Sequence, residues 1–328
     1  MPPVLPSFED VCAARERIAS RMAHTPVLHS RSLDERAGGA KIFLKCENFQ
    51  RAGAFKFRGA TNCLLQLTSE ERERGVLAFS SGNHAQAVAL AARDLGISAA
   101  LVMPTDAPQA KLAAVRAFGG EVHLYDRAKV NREDFAAELV KKQNRVLVPP
   151  FDDARIIAGA GTAALELLEE VPNLDVLVVP VGGGGLISGS ALAAHGRNAK
   201  IAVYGVEPAT AADVQLSLAR GQITPIPDNP TIADGLRTVQ PGELTFAIMQ
   251  KHLAGVVTVS DAQLVDALTF ILMRMKTVVE PSGAAAAAAV LAGALPQPYQ
   301  RVGVIISGGN LDASALARYL TQEQSTSH

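Results

Sequence analysis

Four short segments carry side chains or backbone whose chemistry exceeds what packing alone would ask for. Lys56 sits in Gly53-Ala54-Phe55-Lys56-Phe57-Arg58-Gly59-Ala60, between two phenylalanines. Apolar surroundings strip water from an ammonium and lower its pKa, leaving a free amine able to attack an aldehyde and form an imine. A lysine in such a segment can equally be a solvated surface charge on an apolar stem. Gly182-Gly183-Gly184-Gly185 follows the apolar run 176–181 and opens onto a helical segment at Leu186. Four amides without Cβ atoms can close around an oxyanion at a helix N-terminus, a phosphate cradle, although a tight ligand-free turn would use the same residues. Ser80-Ser81-Gly82-Asn83-His84 stands at a second strand-to-helix junction. Hydroxyls, an amide and a helix start there suit a carboxylate, or simply cap the helix. Ser307-Gly308-Gly309-Asn310 follows the run 302–306 and brings another hydroxyl to a strand end, the edge at which open α/β sheets bind ligands. Neither Gly-x-Gly-x-x-Gly nor Gly-x-x-x-x-Gly-Lys-Ser/Thr occurs, which argues against dinucleotide and P-loop sites.

The elements that must position these residues alternate along the chain. Short β-branched runs at 41–46, 76–79, 99–103, 121–125, 146–148, 176–181, 201–206, 256–259 and 302–306 read as strands. Ala/Leu-rich segments at 84–95, 109–118, 132–142, 157–170, 186–195, 262–275 and 282–291 read as helices. The alternation predicts an α/β fold with mostly parallel sheets. So many strands with short connections point to two sheets, hence two subdomains enclosing a cleft, with no Gly/Ser linker between them. The alanine run from Ala284 to Ala289 reads as a closely packed helix.

Composition sets outer limits. The chain has 328 residues, 48% of them hydrophobic, enough for one or two joined domains. With 31 Lys+Arg against 32 Asp+Glu the net charge is −1, so no global field draws it to nucleic acid or an anionic membrane, and a small ligand is expected. Cys12, Cys46 and Cys63 form no Cys-x-x-Cys pair, which predicts reduced thiols and a cytoplasmic setting. No apolar stretch reaches membrane-spanning length, and the first residues do not read as a secretory leader.

Taken together and in order, Phe55-Lys56-Phe57-Arg58-Gly59, Ser80 to Gln86, Gly182 to Leu186 and Ser307 to Asn310 closely resemble the serine/threonine dehydratase and serine racemase family. The resemblance runs from about Ala23 to about Asp312. It implies a fold type II, tryptophan synthase β-like enzyme dependent on pyridoxal 5′-phosphate (PLP), built of two three-layer α/β/α domains. Residues 1–69 and 153–328 would form the large, PLP-binding domain and 70–152 a smaller, mobile one. By the same resemblance Lys56 is the Schiff-base lysine, with Phe55 beside it, Asn83 bonds the ring hydroxyl, Gly182, Gly183, Gly184, Gly185 and Leu186 hold the phosphate, Gly235 lies beside the cofactor, and Ser307 faces the pyridine nitrogen. Ser80, Ser81, Gly82, Asn83 and His84 would hold the substrate, with Thr238 near it and Arg132 reaching it from the small domain. Lys56 and Ser81 would face Cα from opposite sides; elimination needs only the lysine face, racemisation needs both.

Glu207-Pro208-Ala209-Thr210-Ala211-Ala212-Asp213 resembles the divalent-cation site of serine racemase and its metal-dependent relatives. There the Glu207 and Asp213 carboxylates and the Ala211 carbonyl would bind Mg²⁺ or Ca²⁺, hard cations that prefer oxygen; two carboxylates capping a helix would look the same. The implied activity is an ammonia-lyase giving a 2-oxo acid and ammonia from an L-serine or L-threonine type substrate. A racemase or a threo-3-hydroxyaspartate ammonia-lyase on the same site is the alternative, the latter if Arg132 holds a second carboxylate. A homodimer is expected. Departures occur at Ala54, where the family usually has Ser, and at Arg51, Ala52 and Phe118, which weaken the nucleotide-activation site that the resemblance implies, although Gln86 and Lys276 fit it.

Overall fold

The computed structural model describes residues 4–80, 82–107, 109–126, 128–227 and 229–325. Ten strands form two sheets: β1 (Val27–Leu28), β2 (Lys41–Cys46), β3 (Val76–Phe79), β4 (Ala99–Pro104), β5 (Glu121–Tyr125), β6 (Val146–Leu147), β7 (Val176–Pro180), β8 (Ala202–Pro208), β9 (Gly255–Val259) and β10 (Arg301–Ile306). The larger sheet has the order β1-β2-β10-β7-β8-β9, parallel except for the β1–β2 pair. The smaller, β5-β4-β3-β6, is wholly parallel.

Both sheets are covered on both faces, as parallel strands of Val, Ile and Leu require. In the large sheet Leu44, Val304, Val178 and Tyr204 lie in one cross-strand row and pack under the alanine helix Pro281–Leu291, whose Ala284 to Ala289 are buried. Leu177, Val179 and Ile305 point the other way, into the helices Ala154–Glu170 and Gly185–Arg197. The small sheet alternates likewise. Val76, Ala78 and Leu101 face the helix Asn83–Leu95, whereas Leu77, Ala100 and Val102 face Ala136 of the helix Arg132–Gln143. Each sheet is therefore the middle of an α/β/α sandwich.

The expected elements are present, the strands 41–46, 76–79 and 121–125 with both ends as read and the others with ends moved by at most three residues. The segment 146–148 pairs only through Val146 and Leu147. The helix read from 157 begins at Ala154, because Asp153 accepts hydrogen bonds from the amides of Arg155 and Ile156 and caps it there. The helices Phe8–Ile18, Lys56–Leu65, Asp213–Arg220 and Glu243–His252 had no counterpart in the sequence reading. Among these Lys56–Leu65 matters most, since it packs between the helices Asn83–Leu95 and Ala154–Glu170 and so joins the two sandwiches.

Candidate active site

Lys56 is the first residue of the helix Lys56–Leu65, and that helix is anchored by a buried charge cluster about half a turn away. Arg58, fully buried, donates to Glu47 through Nε (2.7 Å) and Nη2 (2.8 Å), and to Glu166 through Nη1 (2.6 Å) and Nη2 (2.8 Å). Lys45 adds a 2.8 Å ion pair to Glu166. A guanidinium forked between two carboxylates has little rotational freedom, so the helix start is fixed relative to β2 and the helix Ala154–Glu170. The Lys56 amine donates to the Pro150 carbonyl at 2.6 Å and lies 5.1 Å from the Phe55 ring centre. Burial lowers its pKa to about 8, so roughly a tenth of the amine is uncharged at pH 7, far more than for an ordinary lysine.

The glycine loop leads from β7 into the helix Gly185–Arg197. Gly184 has φ +94°, and a Cβ there would stand 2.8 Å from Met249 Cε and Thr245 Cβ. A Cβ on Gly183 would run into the Phe151 ring. The amides of Gly182 to Leu186 donate to no described residue, and no side chain caps the helix. These are free N–H groups at a positive helix end, a cradle for a dianion.

Asn83 begins the helix Asn83–Leu95 behind Gly82, with no side chain spent on capping. Its amide nitrogen donates to Glu280 Oε1 (2.5 Å) while its Oδ1 accepts from Asn310 Nδ2 (2.9 Å), which fixes the amide's orientation. The Ser80 hydroxyl accepts from the Gly82 amide at 3.1 Å. His84 Nε2 lies 3.0 Å from the Val148 carbonyl, an acceptor only, so the proton is on Nε2 and the buried Nδ1 has no partner. Burial, reinforced by the Lys56 charge, lowers the imidazole pKa to about 3 and keeps it neutral. Ser307, buried at the end of β10, donates to the Ser282 carbonyl at 3.5 Å. Gly235 donates to the Ser282 hydroxyl at 2.9 Å, and the buried Thr238 hydroxyl has no partner.

Phe55, Lys56, Ser80, Gly82, Asn83, His84, Arg132, Gly182, Gly183, Gly184, Gly185, Leu186, Gly235, Thr238 and Ser307 all line one cleft between the two sheets. Ser81 lies outside the described residues. Sequence reasoning missed Lys111, Asp234, Arg237 and Glu280 on the same walls. Lys111 Nζ is 2.6 Å from Asp234 Oδ2. Glu280 stands before Pro281 at the start of the helix Pro281–Leu291, and its side chain makes no capping hydrogen bond there. One oxygen goes to Asn83 and the other is buried without a partner. Burial pushes its pKa up to about 7, against the pull of Lys111.

Apart from the cleft, Glu207 is next to last in β8 and its two oxygens accept from the amides of Val214 (2.9 Å) and Gln215 (2.8 Å), capping the helix Asp213–Arg220. Asp213 does not share that role. Both its oxygens are buried without a well-formed hydrogen bond, and the Thr238 hydroxyl and the Asp213 amide lie close enough only to offset burial in part. Burial raises Asp213 to about 7; burial and the Asp213 charge raise Glu207 to about 8. Ala211 is buried in the turn between them. Among the described residues, no group of three or more His, Cys, Asp or Glu side chains is placed to hold a metal.

A family model described as pyridoxal-phosphate dependent enzyme matches residues 18–308. A serine racemase of Schizosaccharomyces pombe is 49% identical over 319 residues, 97% of this chain and 98% of that protein. An L-threo-3-hydroxyaspartate ammonia-lyase of Saccharomyces cerevisiae is 47% identical over 318 residues, covering 97% and 96%. Among solved structures, maize serine racemase superposes with a TM-score of 0.92 at 40% identity, over 98% of this chain and 99% of that one.

Proposed function

Since the chain belongs to the pyridoxal-phosphate dependent enzymes, we propose that it is an ammonia-lyase acting on a small β-hydroxy amino acid, releasing a 2-oxo acid and ammonia. The observation that carries this reading is the partly neutral Lys56 amine in the same cleft as the free amides of the glycine loop and the fixed Asn83 amide. These groups fit PLP, with Lys56 to carry it, Gly182 to Leu186 for its phosphate, Asn83 for its hydroxyl, and Phe55 and Gly235 against the ring. Bound there, the cofactor supplies an electron-withdrawing ring that lets the Cα–H bond of an amino acid ionise.

The chain's own groups do the remainder. Lys56 Nζ takes the proton from Cα, for which a pKa of about 8 suits operation near neutral pH. Ser307 gives the pyridine nitrogen a neutral partner, which favours prompt loss of the β-hydroxyl over a long-lived carbanion. The loop Ser80 to His84 holds the substrate carboxylate, and neutral His84 adds no competing charge. Thr238 and Arg132 border the substrate side. Water leaves from Cα and Cβ, and the released enamine hydrolyses to the oxo acid and ammonia.

A divalent cation, Mg²⁺ or Ca²⁺, belongs to the same reading. Two buried carboxylates, with two oxygens lacking a well-formed hydrogen bond and no Lys or Arg among the described charges that shift them, suit a hard ion held by Glu207, Asp213 and the Ala211 carbonyl. The proposal also takes residues 70–152 as the mobile domain, a homodimer as the assembly and the cytoplasm as the location; the buried free thiols of Cys46 and Cys63 accord with a reducing compartment.

The test is oxo-acid release from a panel of serine, threonine and 3-hydroxyaspartate isomers. Release from none of them overturns the reading. Racemisation is the second reading, favoured by the 49% identity to a serine racemase. Ser81→Ala separates the two. If Ser81 serves the opposite face of Cα, L-serine elimination survives within about tenfold, whereas racemisation falls by roughly 10²–10⁴.

A further inference from the structure

We propose that Arg237 sets the substrate class, binding a second carboxylate carried on the β-carbon and so selecting dicarboxylic β-hydroxy amino acids. The inference rests on the ammonia-lyase reading and assigns a role to a residue no motif singled out. Six charged residues line the inner cleft: Lys56, Lys111, Arg132 and Arg237 against Asp234 and Glu280. The two acids are already engaged, Asp234 by Lys111 and Glu280 by Asn83. Lys56 is committed to the cofactor, whose dianionic phosphate has the glycine amides for partners. Arg132 and Arg237 remain as cations in excess.

Their surroundings differ. Arg132 spends its Nε on Glu133 at 2.7 Å and lies over the Phe79 ring. Arg237 is exposed, has neither hydrogen bond nor ion pair with a described residue, and lines both the inner cleft and its outer vestibule. Of the vestibule's four acids, Asp152 accepts from the amides of Glu243, Leu244 and Thr245, and Glu133 is taken by Arg132. Asp134 and Glu243 sit in the first turns of their helices, and none of the four is paired with Arg237.

The backbone on both sides of Arg237 is pinned. Asp234 is held by Lys111, and Gly235 by Ser282. The Thr238 carbonyl accepts from Asn229 at 2.6 Å and the Val239 carbonyl from the Ile226 amide at 2.8 Å. An arginine on a fixed turn with its whole fork free is prepared for a bidentate carboxylate, at a lower entropy cost than a lysine would incur. The substrate's α-carboxylate has the Ser80 to His84 loop on another wall. The anion left for Arg237 is therefore on the side chain.

Binding and turnover are measured separately on the holoenzyme. Succinate and butyrate are unreactive four-carbon probes that differ in one terminal carboxylate. Calorimetry should show wild-type protein binding succinate at least about tenfold more tightly than butyrate. Arg237→Gln should remove most of that preference without moving butyrate, and Arg237→Lys should restore part of it. Equal affinity of the wild type for both probes, equal weakening of both by Arg237→Gln, or no change in either overturns the proposal. Oxo-acid release decides the ammonia-lyase reading independently: a protein that prefers succinate through Arg237 yet turns over no β-hydroxy amino acid overturns that reading and leaves the carboxylate site standing.

Discussion

Lys111 of the helix Gln109–Ala117, packed in the small-sheet sandwich, reaches across the cleft to Asp234 beside the large sheet, 2.6 Å from nitrogen to oxygen. Burial works against the Lys111 charge, but Asp234 and Glu280 outweigh it and hold the pKa above the ordinary value. The same side chain packs against Gly82 in the loop before Asn83. Lys111 thus ties the two walls together at the point where Asn83 and the Gly235 turn meet the ligand.

Lys111→Met should therefore weaken ligand binding more than folding. We expect KM for the amino acid to rise by about three- to tenfold, with a melting temperature within a few degrees of wild type, because one partly exposed pair contributes modestly to stability. Asp234→Asn should do much the same, and the double variant little more, as residues in one contact are not additive. Full additivity in kcat/KM would show that the two act independently.

Lys56 offers a direct pH test. With a pKa of about 8, its neutral fraction rises about tenfold between pH 7 and pH 9 and then levels off; an ordinary lysine would rise about a hundredfold with no plateau. The rate at which apoprotein captures PLP, followed by absorbance, should bend near pH 8. Lys56→Ala should fold yet capture none. Borohydride reduction and peptide mapping that put the cofactor on another lysine would refute the assignment.

The carboxylate pair predicts a response to chelation. A cation bound only by the native state stabilises it by mass action, so thorough chelation should lower the melting temperature and Mg²⁺ or Ca²⁺ should restore it. Asp213→Ala should abolish the response, since its orphan oxygens are what the ion would satisfy. Protein indifferent to chelator would leave Glu207 as a helix cap and Asp213 without an account.

The parts of the site legible in the sequence share one trait, a local pattern with its own physical meaning. Gly182 to Gly185 stands out because four consecutive glycines are costly unless backbone must approach something closely, and the Ala284 to Ala289 run is the packed helix it reads as. Lys56 was legible from its apolar neighbours, but its helix was not, since Gly59 and the β-branched Thr61 lower the helical signal that tertiary packing overrides. Lys111 and Arg237 carried no local signal at all, and Asp234 only its place in the family-like segment Thr231 to Gly235, which does not point to that carboxylate. A lysine in a helix and a charge in a turn are common anywhere, and only the fold, joining positions 123 residues apart in the case of Lys111 and Asp234, makes them partners.

Glu280 provides the last test, which reads the coupling of the cleft to stability. Its pKa of about 7 lies above the unfolded value near 4.3, so native protein binds the additional proton between those limits. The protonated carboxyl therefore contributes stability that is fully present below about pH 4 and is lost as pH rises through 7. Glu280→Gln mimics the protonated form, keeps an oxygen to accept from Asn83, and cannot ionise. Relative to wild type, the variant should become more stable by about 2–4 kcal/mol between pH 5 and pH 8, measured as denaturant midpoints at matched m-values. Taking the difference between the two proteins cancels the contributions of Glu207 and Asp213, whose raised values bend both curves in the same direction. A wild-type minus variant difference that stays flat across this range would mean that Glu280 is ionised throughout and balanced by Lys111.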